Sequence, residues 1–271
     1  MSFVVYTDLD GSLLDHHNYR FDDALPALAQ LKSLSIPVIP VSSKTRAEIE
    51  PLRRQLDIDF PFIVENGAAV FIPNTPAYAS LLNKDLVQKG RYWVKAMSPD
   101  IIYWTSVIDE LSDVVPNAFR AFSQMTVDEL VELTGLTHEQ AALAAKREYS
   151  DPIYWFGNEA EFRKLTEFCT HLDIDVVRGG RFVHLLKGAD KGKSLTWLHQ
   201  QLNQLGLTTL NSIALGDGEN DLAMLAVVDF PVQIKSPTHD FPSMAHEQLY
   251  QTNGVGPKGW NEAILKILKN V

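Results

Sequence analysis

Cysteine is nearly absent: the one residue, Cys169, excludes an intrachain disulfide and fits a reducing compartment. Positive charge is short as well. Lys and Arg total 24 against 34 Asp and Glu, and the formal charge of −10 disfavours broad binding to nucleic acid or to an anionic membrane surface. An anionic small substrate therefore needs basic residues gathered locally at its site. No apolar stretch reaches the length of a membrane span, so no membrane partner is expected. Residues 1–3 run straight into a strand pattern and leave no room for a signal peptide, so a cytoplasmic location is expected. Internal repeats and low-complexity runs are lacking, and no feature of the chain sets an oligomeric state. What remains, at 45% apolar and 21% charged residues over 271 positions, has the makeup of a globular protein of one large or two ordinary domains.

The stretch Phe3-Val4-Val5-Tyr6-Thr7-Asp8-Leu9-Asp10-Gly11 organises the rest. Its β-branched and aromatic run reads as a buried strand, and it delivers two carboxylates, Asp8 and Asp10, into a turn that Gly11 eases. Carboxylates held that close repel unless a cation lies between them or one is protonated. Both solutions are useful to catalysis, the first for a nucleophile and the second for an acid or base. A calcium loop is ruled out by spacing: counted from Asp8, Leu13 and Tyr19 occupy the positions that need Gly and Glu.

Helical spacing over 22–34, a strand over 36–41 ending at Ser42-Ser43-Lys44-Thr45, a helix over 46–56 and a strand over 62–64 predict a parallel, doubly wound sheet. Ligands gather beyond the carboxyl ends of such strands, where Asp8, Asp10, Ser42 and Lys44 all fall. Between residues 83 and 187 the rhythm changes to paired strands with helices between them. That segment predicts an α+β insertion with its own small sheet, including a hairpin across Gly179-Gly180. The stretch 74–116 has no reading. The sheet rhythm resumes from 188, so the core is expected as 1–82 plus 188–271 and the insertion as 83–187.

The resumed core carries two more charged features. Gly216-Asp217-Gly218-Glu219-Asn220-Asp221 follows a strand and adds a second acidic cluster; as a calcium loop it fails, with Leu222 and Val228 at the deciding positions. With Asp8 and Asp10 it makes an oxygen-rich site suited to magnesium, which takes few carboxylates and completes its shell with water and phosphate. Gly192-Lys193-Ser194 looks like the end of a nucleotide-binding P-loop, but the Gly required five residues before Gly192 is Lys187. Lys191 reads instead as an ammonium aimed at a phosphate. Ser42 offers a hydroxyl beside the N–H groups of a helix start.

In order along the chain, Asp8-Leu9-Asp10-Gly11-Ser12, Ser42, Lys191 and Gly216-Asp217 to Asn220-Asp221 resemble the four motifs of the haloacid dehalogenase-like phosphatases. The resemblance spans both outer segments. It implies a Rossmann-like core, Mg2+ and a phosphoaspartyl intermediate, with Asp8 as nucleophile, Asp10 as general acid and base, and Ser42 and Lys191 holding the phosphoryl group. It also implies metal ligation by Asp8, the Asp10 carbonyl and Asp217, with Asp221 behind them, and an insertion acting as a sugar-phosphatase cap. Ser42-Ser43-Lys44-Thr45, Glu65-Asn66-Gly67, Gly180-Arg181-Phe182-Val183-His184 and Gly256-Pro257-Lys258-Gly259-Trp260 are similar to the mannosyl-3-phosphoglycerate phosphatases. The substrate this implies is a small phosphorylated sugar acid. Its carboxylate needs a second cation, for which Lys44 or Arg181 is the candidate. Ser43, Gly179, Gly180 and His184 complete the expected substrate contacts. A phosphatase of another sugar phosphate, a sugar phosphomutase, a non-catalytic sugar-phosphate binder and an ATP-dependent kinase remain as alternatives at this point.

Overall fold

In the computed structural model every residue of β1 (Phe3–Thr7) is buried, which is why the strand reads as unbroken apolar rather than alternating. The structure describes residues 3–81, 85–178, 182–205 and 211–269. After β1 come α1 (Leu25–Ser33), β2 (Val38–Pro40), α2 (Arg46–Gln55), β3 (Phe62–Val64), β4 (Ala69–Pro73), β5 (Val87–Lys89) and β6 (Tyr92–Ala96). Next are α3 (Ile101–Val114), β7 (Phe119–Ala121), α4 (Val127–Thr134), α5 (His138–Ala144), β8 (Ile153–Trp155), α6 (Glu159–His171), β9 (Asp175–Arg178) and β10 (Val183–Leu186). The chain closes with α7 (Lys191–Gln204), β11 (Asn211–Gly216), α8 (Leu222–Leu225), β12 (Phe230–Lys235), β13 (Tyr250–Val255) and α9 (Pro257–Lys269). These fall into two compact units: Met1–Ser42, Ile58–Lys95 and Asp190–Val271 in one, Ser43–Asp57 and Ala96–Ala189 in the other. Beside the expected core of 1–82 plus 188–271, residues 85–95 group with the first unit and 43–57 with the second.

The first unit holds a five-stranded parallel sheet in the order β13-β12-β11-β1-β2. The chain leaves β1 toward β2 on one side and returns at β11 on the other, so β1 and β11 flank the topological switch point where such sheets bind ligands. Their register, Phe3 opposite Asn211 and Thr7 opposite Leu215, brings the two acidic turns to neighbouring strand ends.

The third expected parallel strand takes a different course. β3 touches the main sheet through one parallel bridge, Val41 to Ile63. It then pairs antiparallel with β4 in a four-stranded sheet ordered β3-β4-β6-β5. The reason lies in residues 65–67, whose positive φ angles of 51, 59 and 94° reverse the chain at once and lay β4 back along β3. Phe62 stacks on Phe71 at 5.2 Å, and Tyr92 meets both edge-on, which ties β6 into the same layer. β5, β6 and α3 occupy the stretch that had no sequence reading.

The second unit has a four-stranded antiparallel sheet, β7-β8-β10-β9. Trp104, Val107, Ile108 and Leu111 of α3 and Leu165 and Cys169 of α6 pack against its Phe119, Ile153, Val183 and Leu185. Burial pushes the Cys169 thiol up to about 11, so this cysteine is an inert core residue. Leu130 of α4 and Ala141 and Ala144 of α5 build a second cluster with Phe122, against which Tyr154 and Phe182 pack. β9 and β10 pair antiparallel as the expected hairpin required, Val183 opposite Arg178. Its turn, Gly179, Gly180 and Arg181, lies outside the described residues.

Candidate active site

The backbone at Asp8 is fixed before its side chain is considered. Its N–H donates to the Leu215 carbonyl at 2.8 Å, continuing the ladder between β1 and β11. Its carbonyl accepts from the Thr7 hydroxyl at 2.6 Å, and that hydroxyl accepts from the Trp260 indole N–H at 2.9 Å. Trp260 and Thr7 are wholly buried, so this chain of contacts cannot be replaced by water. Gly11 is needed twice over: its φ is 79°, and a β-carbon there would sit 2.5 Å from Asp217 Oδ2. The absence of one side chain lets the first acidic turn close against the second.

Lys191, at the start of α7, is wholly buried and donates at 2.6 Å to both Asp8 Oδ1 and Asp221 Oδ1. The other Asp221 oxygen accepts from the Asp217 and Gly218 N–H groups at 3.0 and 2.9 Å, so it organises its own loop. Burial would lower the Lys191 ammonium, but Asp221 and Asp8 outweigh it and hold the group above the ordinary lysine range. Burial, with the charges of Asp221 and Asp217, raises Asp8 well above the ordinary carboxylate value against the pull of Lys191. Burial and Asp221 push Asp217 up to about 7, while His239 and Lys191 oppose the shift.

Oxygens of Asp8, Asp217 and Asp221 lie within 4.8 Å of one another. With all three carboxylates ionised, one ammonium leaves two negative charges unbalanced in a buried place. A divalent cation with a preference for oxygen fits that donor set and that deficit. The Asp10 carboxylate is not one of the three, and the expected ligation by Asp10 ran through its backbone carbonyl.

The remaining expected residues are distributed as follows. Ser42, 1% exposed, lies two residues beyond β2, the parallel strand next to β1, and in the first unit with the acidic cluster. Ser43 and Lys44 fall in the second unit, where the Ser43 carbonyl accepts from Arg147 and Lys44 pairs with Glu48 at 3.6 Å. His184 sits half-buried on β10, opposite Val177. Four contributors had no assigned role in the sequence: Asn66, Asn220, Trp260 and His239, whose Nε2 is 3.6 Å from Asp217 Oδ2. The first three lie in quoted motifs; His239 is a lone histidine in a loop and carries no sequence signal.

The sequence model describing the haloacid dehalogenase-like hydrolases matches residues 5–256. The chain belongs to this family. Relatives of the hydrolase include the glucosyl-3-phosphoglycerate/mannosyl-3-phosphoglycerate phosphatases of Persephonella marina and Methanococcoides burtonii. Each is 35% identical over 269 residues, which cover 99% of this chain and 98% of the relative. A haloacid dehalogenase-like hydrolase of Bacteroides thetaiotaomicron shares the fold with a TM-score of 0.67 at 20% identity, covering 98% of this chain and 100% of that one. Among the described residues of the hydrolase no helix is long and apolar enough to cross a membrane.

Proposed function

We propose that this hydrolase is a magnesium-dependent phosphatase of mannosyl-3-phosphoglycerate, releasing mannosylglycerate and phosphate through an aspartyl-phosphate intermediate. The observation that carries the chemistry is the meeting of Asp8, Asp217 and Asp221 around the buried Lys191 at the switch point of a parallel sheet. The substrate rests on the relatives that share 35% of their residues over nearly the whole chain.

Asp8 attacks phosphorus in line while the bond from phosphorus to the glycerate oxygen breaks, and Asp10 gives that oxygen a proton. Water then attacks the aspartyl phosphate, Asp10 takes its proton, and phosphate and free Asp8 result. Ser42 and Lys191 hold the phosphoryl oxygens, whose charge Lys191 offsets without reorganisation because the ammonium is already fixed. Asp8, the Asp10 carbonyl and Asp217 would hold the metal ion, with Asp221 behind them, and bound there it would draw charge from the phosphoryl oxygens. An all-oxygen donor set with room for water favours magnesium. We assign selection of the sugar acid to the second unit as a cap, with Ser43, Lys44, Arg181, His184 and the glycines 179 and 180 as its contacts. A cytoplasmic location, with which the single cysteine agrees, belongs to the same proposal.

Phosphate release is to be measured across mannosyl- and glucosyl-3-phosphoglycerate, 3-phosphoglycerate and hexose phosphates, with Mg2+ and with excess chelator. Mannosyl-3-phosphoglycerate should have the highest kcat/KM, chelation should abolish release, and Asp8→Asn should lose at least about 10³-fold in kcat while remaining folded. Equal use of plain hexose phosphates would overturn the substrate; a phosphorylated isomer in place of free phosphate would make the protein a mutase.

A further inference from the structure

The turn at residues 65–67 holds three consecutive residues at positive φ. Gly67 must be glycine, because a β-carbon there would lie 2.2 Å from the Asp190 carbonyl oxygen. Glu65 and Asn66 have β-carbons and yet hold φ angles of 51 and 59°, with both side chains buried. Consecutive left-handed residues other than glycine persist only where surrounding contacts hold them, and they gather at functional sites.

The contacts that hold this turn lead into three segments of the site. The Asn66 N–H donates to the carbonyl of Ser42 at 2.9 Å. The Asn66 side-chain oxygen accepts from the Asn220 amide at 3.1 Å, and Asn220 lies between Asp217 and Asp221. The Gly67 carbonyl accepts from the Ser194 hydroxyl at 2.5 Å, one turn along α7 from Lys191. One buried residue thus has its backbone on the segment of the serine hydroxyl and its side chain on the loop of two carboxylates, beside the helix of the ammonium.

We propose that Asn66 is a positioning residue for phosphoryl transfer, its amide setting the Asp217–Asp221 loop in register with Ser42 and Lys191. The proposal rests on the phosphatase reading above. In-line transfer needs the hydroxyl, ammonium and carboxylates placed within a fraction of an ångström, and a misplacement of about 1 Å costs on the order of 10²-fold in rate. A residue of this kind acts on kcat and on cation affinity, and leaves KM nearly alone.

The test uses the full chain with Asn66→Gly, Asn66→Ala, Asn66→Asp, Asn220→Ala and the Asn66→Gly/Asn220→Ala double variant. Phosphate release under saturating Mg2+ is read alongside Mn2+ affinity without substrate. Glycine adopts the required φ, so Asn66→Gly deletes the side chain without straining the turn. It should lower kcat about 10–100-fold with KM within about 3-fold, and weaken Mn2+ binding. Asn220→Ala should match it, and the double variant should lose little more, since both changes remove one contact. Asn66→Asp still offers an acceptor to Asn220 and should retain more kcat than Asn66→Gly. Wild-type behaviour in Asn66→Gly with loss only in Asn66→Ala would reduce the residue to a backbone role and overturn the inference, as would losses that multiply in the double variant. Failure of the wild type to release phosphate would sink the phosphatase reading separately, with the Mn2+ comparison still deciding whether Asn66 positions the loop.

Discussion

The two units are built on opposite terms. In the second, every helix opens on a side chain that satisfies its own first amides: Thr45 for α2, Asp100 for α3, Thr126 for α4, Thr137 for α5 and Asn158 for α6. Its sheet is filled from one face by an apolar cluster. In the first unit α7 has such a cap in Asp190 but α1 and α8 begin without one, and the buried set includes Asp8, Glu65, Asn66, Lys191, Asp217 and Asp221. The helix caps of the second unit are made between neighbours in sequence. The first is held by partners such as Asp8 and Lys191, 183 positions apart, and it keeps like charges buried that a stability-driven core would exclude.

Lys191→Met tests this contrast most severely. It leaves Asp8 and Asp221 facing each other without their shared cation, which should cost about 3–5 kcal/mol in cation-free urea melts at pH 8, along with all turnover. A loss below about 1 kcal/mol would show that the buried charges carry little of the first unit's stability.

The next effect in size is the pH response of the same cluster. Asp217 has a folded value of about 7 against an ordinary 3.8, so between those values the folded protein binds more protons than the unfolded one. Stability from this group therefore falls as pH rises through that window and levels off above about 7. Protonation competes with the cation in reverse: Mg2+ at 100 times its dissociation constant should add about 2.7 kcal/mol at pH 8 and progressively less below pH 7. Thermal melts at pH 6 and 8, with and without Mg2+, check both signs, and Asp217→Asn should flatten the slope. Stabilisation by Mg2+ that grows on acidification would contradict the assignment.

The smallest effect belongs to the second unit. Asn158 accepts from the Ala160 and Glu161 N–H groups, and Asn158→Ala should cost about 1 kcal/mol with kcat unchanged. A drop in kcat out of proportion to stability would mean the two units are less separable than their construction indicates.

What the sequence disclosed follows the same division. Strand ends carrying Asp8, Ser42 and Asp217 were legible because the apolar run and the acidic turn sit side by side in sequence, and a parallel sheet puts strand ends together. The pairing of Lys191 with both Asp8 and Asp221 was not legible, since nothing local to residue 191 says which carboxylates it will meet. β3 was read correctly as a strand and misplaced as to sheet, because the left-handed turn through residues 65–67 is tied by Asn66 to Ser42 and Asn220 and by Gly67 to Ser194, contacts that local sequence does not signal. The aromatic and apolar strands β4 and β6 went unread for a similar reason: Phe71 and Tyr92 signal their layer only once they stack with Phe62.

The pairing of β1 with β11 sets the order of events during synthesis. Asp8 leaves the ribosome well ahead of Asn211, where the strand that pairs with β1 begins. At about 5–20 residues per second, ten seconds or more separate the two. Residues 96–189 can complete their own sheet and helices in that interval. The nascent chain therefore carries no assembled hydrolytic centre until residues 211–221 have emerged, and phosphorylated metabolites meet a competent nucleophile only after that strand has joined β1.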